Sequence, residues 1–217
     1  MRPHQTHTRQ AAFDPAPKLV LFDLDDTLCD YDTALHTRIR YAFEPWFPSP
    51  DELAAAVRAQ VELADWEGGE HFSSVFARFG VSDPDAARLA RERFVEDRYR
   101  GLRLFDDALD VITAVASHVP IGMITNGPSD IQWPKIRLLD IEHLFPVIIV
   151  SEDVGVWKPD PAIFTIALER SGFAAHEAIY VGDSVVADVP GARAAGIRSV
   201  WMNRARRTWS DGDPPDA

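Results

Sequence analysis

The chain is poor in the features that mark secreted, membrane-spanning or nucleic-acid-binding proteins. It has one cysteine, Cys29, which excludes an internal disulfide framework and suits a reducing cytoplasm, the expected location. No apolar run approaches the ~20 residues needed to cross a bilayer. Residues 1–17 mix His, Arg, Gln and Pro, lack the apolar centre of a secretory signal, and read as a disordered tail. Positive charge is scarce as well. Lys and Arg number 22 against 34 Asp and Glu, a formal net charge of -12, whereas neutralising nucleic-acid phosphates needs a basic face. The same imbalance constrains any phosphorylated small substrate: its attraction has to come from a local set of metal ion, lysine and backbone amides. No repeat or low-complexity segment occurs, and 217 residues fit one large domain or a core domain with a smaller insert.

What is present is organised around residues 19–28. The apolar run Leu19 to Phe22 reads as a strand buried on both faces of a parallel sheet, and it ends abruptly in Asp23, Asp25 and Asp26. Ligands of open parallel sheets sit at the carboxyl ends of strands. The alternative is a solvated acidic turn, with Asp26 or Asp30 capping the next helix. Residues 31–103 carry helical periodicity and nothing strand-like: helices over 30–43, from about 50 to 65, over 71–79 and from 83 to about 99, with Gly68-Gly69 a flexible point. From Phe105 the texture changes to alternating helix and apolar strand. Strands fall at 119–125, 146–150, 178–181 and 198–202. Helices fall at 106–118, 129–139, 161–171 and 185–195, with Pro134 marking a late start or a kink in the second. Such alternation predicts a doubly wound, Rossmann-like α/β core around a parallel sheet, with an inserted all-helical cap. The expected division is a core of 18–30 and 104–203, a helical cap of 31–103, and a flexible tail of 204–217.

Each core strand ends in a polar residue, and in a parallel sheet these ends meet at one edge. The first gives Asp23 and Asp25, two apart and so facing the same way. The second gives Thr125-Asn126-Gly127, a hydroxyl and backbone amides at a helix start. Lys158 follows the third, just ahead of a helix, and Gly182-Asp183-Ser184 with Asp188 follows the fourth. Grouped carboxylates favour a hard cation such as magnesium. Each residue alone has an ordinary structural explanation; their coincidence in order and chemical type at strand ends does not.

The segments Asp23-Leu24-Asp25-Asp26-Thr27-Leu28, Thr125-Asn126, Lys158-Pro159-Asp160 and Gly182-Asp183-Ser184 with Asp188 resemble, in order, the four motifs of the haloacid dehalogenase superfamily. The likeness spans residues 18–202, and residues 31–103 resemble the small helical cap of one subfamily. The resemblance implies a Mg2+-dependent phosphomonoester hydrolase. Asp23 would be the nucleophile and Asp25 the general acid and base. Thr125, the Asn126 amide and Lys158 would bind phosphate. The metal would sit among Asp23, the Asp25 main-chain carbonyl, Asp183 and Asp188. The implied partner is a small phosphorylated metabolite, a nucleotide or sugar phosphate, with neither nucleic acid nor membrane, and the protein a monomer or small homo-oligomer. Asp25 favours phosphate chemistry over dehalogenation, whose halide leaving group needs no proton. Phosphosugar mutases keep both aspartates and stay open as an alternative. A signalling receiver domain, which also accepts phosphate on Asp, fits poorly with the helical insert.

Substrate selection would fall to aromatic groups near the site. Residues 66–71, with Trp66 and His71 flanking two glycines, form either a specificity loop or a plain helix–helix connection. Tyr31 and Trp157 are further candidates for the pocket border, although ordinary packing explains aromatic residues equally well.

Overall fold

All four side chains of Leu19–Phe22 (β1) are buried, as expected of a strand covered on both faces. The structure, a computed structural model, describes residues 13–67, 71–209, 212 and 214–217, with the backbone alone for 65–67. Its contacts divide the chain into two compact units: Asp30–Arg103, and the remainder up to Cys29 and from Leu104 onward.

The unit Asp30–Arg103 is helical: Tyr31–Phe43 (α1), Pro50–Glu67 (α2), Phe72–Arg78 (α3) and Ala86–Glu96 (α4). Asp30 caps α1 by accepting from Thr33 N (3.2 Å). Its other carboxylate oxygen accepts from Arg103 (3.0 Å), and its N–H donates to Arg103 O (3.0 Å), which ties the unit's two chain ends together. The helices close on an aromatic core in which Phe43 lies 4.9 Å from Phe72 and 5.0 Å from Phe76.

The other unit continues from β1 with Ala108–Ala116 (α5), Ile121–Thr125 (β2), Ser129–Leu138 (α6), Val147–Val150 (β3) and one turn, Ser151–Val154 (α7). Pro161–Ser171 (α8), Ala178–Gly182 (β4), Asp188–Ala194 (α9) and Arg198–Trp201 (β5) complete it. All strand pairings are parallel, in the order β3-β2-β1-β4-β5, with Val20 opposite both Ile121 and Ile179. This is the doubly wound α/β architecture expected. Because the strands are parallel, the residues after β1, β2, β3 and β4 emerge along one edge.

Three local expectations are corrected. Helix α6 begins at Ser129 and runs through Pro134, so the proline does not delay its start; as the sixth helical residue it leaves the Asp130 carbonyl without its i+4 backbone donor. Helix α9 starts at Asp188 and not at Val185, because Ser184 closes a turn first, its Oγ accepting from Ala187 N (3.1 Å). The described part of 204–217 is hydrogen-bonded and not a loose tail. Trp201 N donates to Ala217 O (2.8 Å), Asp216 N to Ser199 O (3.0 Å), and Ser199 N to Asp216 Oδ2 (2.7 Å), so these residues cover the edge of β5. At the other end, residues 1–12 of the expected N-terminal tail lie outside the described residues, while Pro15 O accepts from Arg198 (2.7 Å).

Candidate active site

A cavity of about 230 Å3 at the carboxyl edge of the sheet is lined by Asp23, Asp25, Thr125, Asn126, Lys158, Asp183 and Asp188. Asp23 follows β1 directly, and its N–H donates to Val181 O (2.8 Å), which extends the β1–β4 pairing by one residue and fixes where the carboxylate emerges. The turn that follows places Asp26 at φ 56°, a left-handed conformation that aspartate tolerates, with its N–H donating to Cys29 O (2.8 Å). Thr27 Oγ1 donates to Asp23 Oδ2 (3.1 Å). The turn thus serves Asp23, and Asp26 takes its left-handed position.

Lys158 is 7% exposed and its ammonium is surrounded by acceptors: Asp23 Oδ1 at 2.5 Å, Asp188 Oδ1 at 2.8 Å, the Tyr180 hydroxyl at 2.9 Å and Ile124 O at 3.2 Å. Asn126 holds the lysine's backbone through a reciprocal pair, its Oδ1 accepting from Lys158 N (2.9 Å) and its Nδ2 donating to Lys158 O (3.0 Å). The Asn126 side chain is therefore committed to Lys158. Gly127 N donates to Ser151 Oγ (2.9 Å), which anchors the turn after β2 to the end of β3.

Asp188 Oδ2 accepts from Ser184 N (2.9 Å) and Oδ1 from the Tyr180 hydroxyl (3.1 Å). Its carboxylate lies where a side chain on residue 182 would be: a Cβ there would stand 2.5 Å from Asp188 Cγ, so glycine is required for close approach. A similar constraint at Gly191, whose Cβ would lie 2.9 Å from Pro159 O, brings α9 against the segment carrying Lys158.

Carboxylate oxygens of Asp23, Asp183 and Asp188 lie within 4.8 Å of one another. Burial, reinforced by the Asp188 charge and opposed by Lys158, pushes the Asp23 carboxyl up to about 8. Burial, with the charges of Asp188 and Asp26, pushes Asp183 up to about 7. For Lys158, burial favours the neutral amine, but the facing Asp188 and Asp23 outweigh it and hold the ammonium charged. Three oxygen-donor carboxylates this close together, two of them paired with Lys158 and the third, Asp183, 3.6 Å from Arg207, fit a hard divalent cation, which would relieve their repulsion. The Asp25 carboxylate is not in this trio.

Asp25 instead turns toward α6. Lys135 Nζ donates to both of its oxygens (2.8 and 2.7 Å), and Gln132 Nε2 donates to Oδ2 (3.2 Å). Neither Gln132 nor Lys135 nor Tyr180 is among the candidates that the sequence offers. The available signal was Gln132 and Lys135 three apart on a helix opening from the Thr125 strand end. Of the proposed specificity residues, Trp157 lies in the same unit as the cavity and is 49% exposed. Tyr31 opens α1 and His71 precedes α3, both in the helical unit, where His71 N donates to Gln60 Oε1 (3.0 Å). The Trp66 side chain and residues 68–70 of the expected loop lie outside the described residues.

A model of haloacid dehalogenase-like hydrolases matches residues 17–196. Glyceraldehyde 3-phosphate phosphatase of Methanopyrus kandleri is 30% identical over 212 residues, covering 92% of this chain and 91% of that protein. Among solved structures, the HAD-hydrolase YfnB of Bacillus subtilis, bound to magnesium, is similar with TM-score 0.70 and 29% identity over 90% of each chain. A 2-haloacid dehalogenase from Pseudomonas syringae is similar with TM-score 0.61 and 28% identity over 92% of each chain.

Proposed function

The chain belongs to the haloacid dehalogenase-like hydrolases, and from that premise we propose that it is a Mg2+-dependent hydrolase of small phosphate monoesters working through an aspartyl-phosphate on Asp23. The observation that carries this reading is the pairing of Asp23 with a second carboxylate two residues on, Asp25, the two held by different buried lysines. Asp23, 5% exposed and fixed at the end of β1, is the nucleophile. As its oxygen bonds to phosphorus, the bond to the leaving oxygen breaks and that oxygen takes a proton from the Asp25 carboxyl. Water then attacks phosphorus, its proton passes to the Asp25 carboxylate, and the Asp23–phosphorus linkage opens to release inorganic phosphate. Thr125, the Asn126 amide and Lys158 hold the phosphoryl oxygens. Asp23, Asp183, Asp188 and the Asp25 main-chain carbonyl are the groups that would hold Mg2+, which supplies positive charge against both the carboxylates and the phosphate. This local charge answers the unfavourable net charge of -12.

The dehalogenase of similar fold offers a competing reaction, but a halide leaves without a proton and gives Asp25 no task. The named activity of the Methanopyrus relative supports a small phosphorylated metabolite as substrate. Residues 31–103 are read as the family's helical cap, and the cytoplasm as the site of action. Asp23→Asn abolishes phosphate release while leaving the far-ultraviolet circular dichroism unchanged; retained turnover in that variant refutes the assignment.

A further inference from the structure

Helix α6 buries two polar side chains, Gln132 at 1% and Lys135 at 3% exposure. A buried ammonium is costly unless paired, so its partner indicates what the position is for. Lys135 grips both oxygens of Asp25 at 2.8 and 2.7 Å, and Gln132 adds a bond to one of them at 3.2 Å. Gln132 Nε2 also lies within hydrogen-bond distance of Thr125 Oγ1 and of Asn126 O (3.0 Å), linking Asp25 to the turn after β2. Cys29 Sγ completes the set by donating to Asp25 Oδ1 (3.4 Å). Bonds to both oxygens restrict the carboxylate's rotation, and the ammonium faces the charge that appears when Asp25 gives up its proton.

We propose that Gln132 and Lys135 are positioning residues that orient Asp25 for proton transfer, and that through it they favour substrates with poor, alkoxide-type leaving groups. The inference rests on the assignment of Asp25 as general acid and base. The proton travels only between Asp25, the leaving oxygen and water. A general acid supplies on the order of 10^2–10^4 in rate where the leaving oxygen must be protonated and far less where it leaves readily as an anion. Losing the clamp should therefore be felt most with an alkyl phosphate.

The test compares Lys135→Met with the parent protein in Mg2+, using glycerol phosphate and p-nitrophenyl phosphate. With glycerol phosphate, kcat is expected to fall about 100-fold while KM stays within about threefold. The p-nitrophenolate burst, which reports phosphorylation of Asp23 without a proton requirement, is expected to fall at least about tenfold less. Lys135→Arg should recover most of the loss, and in an Asp25→Asn background Lys135→Met should add no more than about twofold. Equal losses on both substrates, a change confined to KM, or a full further loss in the Asp25→Asn background overturns the inference. If Lys135→Met fails to melt cooperatively, Gln132→Met is measured in the same way; a loss of about tenfold with the same leaving-group bias supports the clamp, and an unbiased loss overturns it. Absence of phosphate release by the parent protein, or retained turnover by Asp23→Asn, overturns the phosphatase reading and the clamp with it. Failure of the leaving-group pattern alone overturns only the clamp.

Discussion

Two aspartates two residues apart are met by two buried lysines in different ways. Lys158 is shared: Asp23 and Asp188 accept from it at 2.5 and 2.8 Å, and the Tyr180 hydroxyl stands 2.9 Å away. Lys135 grips one carboxylate, that of Asp25, by both oxygens. Burial together with the Asp188 charge outweighs the shared lysine at Asp23, and burial with the Asp188 and Asp26 charges raises Asp183, so the two are pushed up to about 8 and about 7 and the cluster is left with a demand for further positive charge. The dedicated lysine holds Asp25 in one orientation by both oxygens. Separate surroundings thus give neighbouring carboxylates separate capacities, one suited to a cation and nucleophilic attack, the other to proton transfer.

The strongest way to break this comparison is to remove the shared lysine. In Lys158→Met, kcat is expected to fall at least about 10^3-fold, and the loss of one partner from a buried ion-pair cluster costs about 3 kcal/mol, read by urea unfolding. A variant with near-normal turnover would mean that Lys158 does not serve the phosphate. Gly182→Ala tests the same side more gently. Its new Cβ would meet Asp188 Cγ at 2.5 Å, so a destabilisation of about 1–3 kcal/mol is expected, together with a weaker thermal response to Mg2+. The leaving-group bias assigned to Lys135 should survive it; loss of that bias would join the two clusters into one.

The cation demand also predicts a pH dependence. Carboxyls whose folded-state pKa lies above the ordinary 3.8 stabilise the metal-free fold fully below that value, and the contribution is lost as pH rises through about 7 for Asp183 and about 8 for Asp23. Protons and Mg2+ compete for the same oxygens. The rise in Tm on adding Mg2+ to chelator-treated protein should therefore be larger at pH 8 than at pH 5.5, by about 3 °C or more. An equal rise at both pH values would remove the cluster from the metal's binding site. Asp25 lies outside the trio, so Lys135→Met should keep this pH-dependent response.

The sheet was legible because each strand is a short apolar run closed by a polar residue, and parallel pairing then carries Asp23, Thr125, Lys158 and Asp183 to one edge. The Asp25 clamp was not. The buried residues of α6 are Gln132, Lys135 and Ile136, two of them polar, so a reading that seeks buried faces through apolar spacing passes over them. The segment after β5 was misread for a related reason. Its composition is polar and proline-containing, but Ser199, Asp216 and Arg207 hold it through backbone and charged groups, which leave no hydrophobic pattern behind. Tyr180 lies within an apolar strand, its ring packs on Phe164 at 4.9 Å, and only the end of its side chain reaches the site.

Arg204 belongs to that misread segment and offers the finest division between the two aspartates. Its guanidinium donates twice to Thr27 O (3.1 and 3.0 Å), donates to Asp107 Oδ1 (2.9 Å), and lies 3.8 Å from the Phe105 ring centroid. It thereby holds the turn that carries Asp25 from outside the sheet. Besides the Thr27 hydroxyl, Asp23 is held from beyond the turn at both its backbone, by Val181 O, and its carboxylate, by Lys158, whereas Asp25 is held from beyond the turn only at its carboxylate, by α6, and its backbone follows the turn. Arg204→Ala removes bonds from a half-exposed network, so the stability loss is expected to be only about 1 kcal/mol. Its kinetic effect should be about threefold on kcat with glycerol phosphate and smaller on the p-nitrophenolate burst, because a displaced Asp25 impairs proton transfer more than phosphorylation of Asp23. Equal losses in the two assays would show that the turn moves as one body with both carboxylates, and the separation between the shared and the dedicated lysine would then lie in their charges and not in their independence.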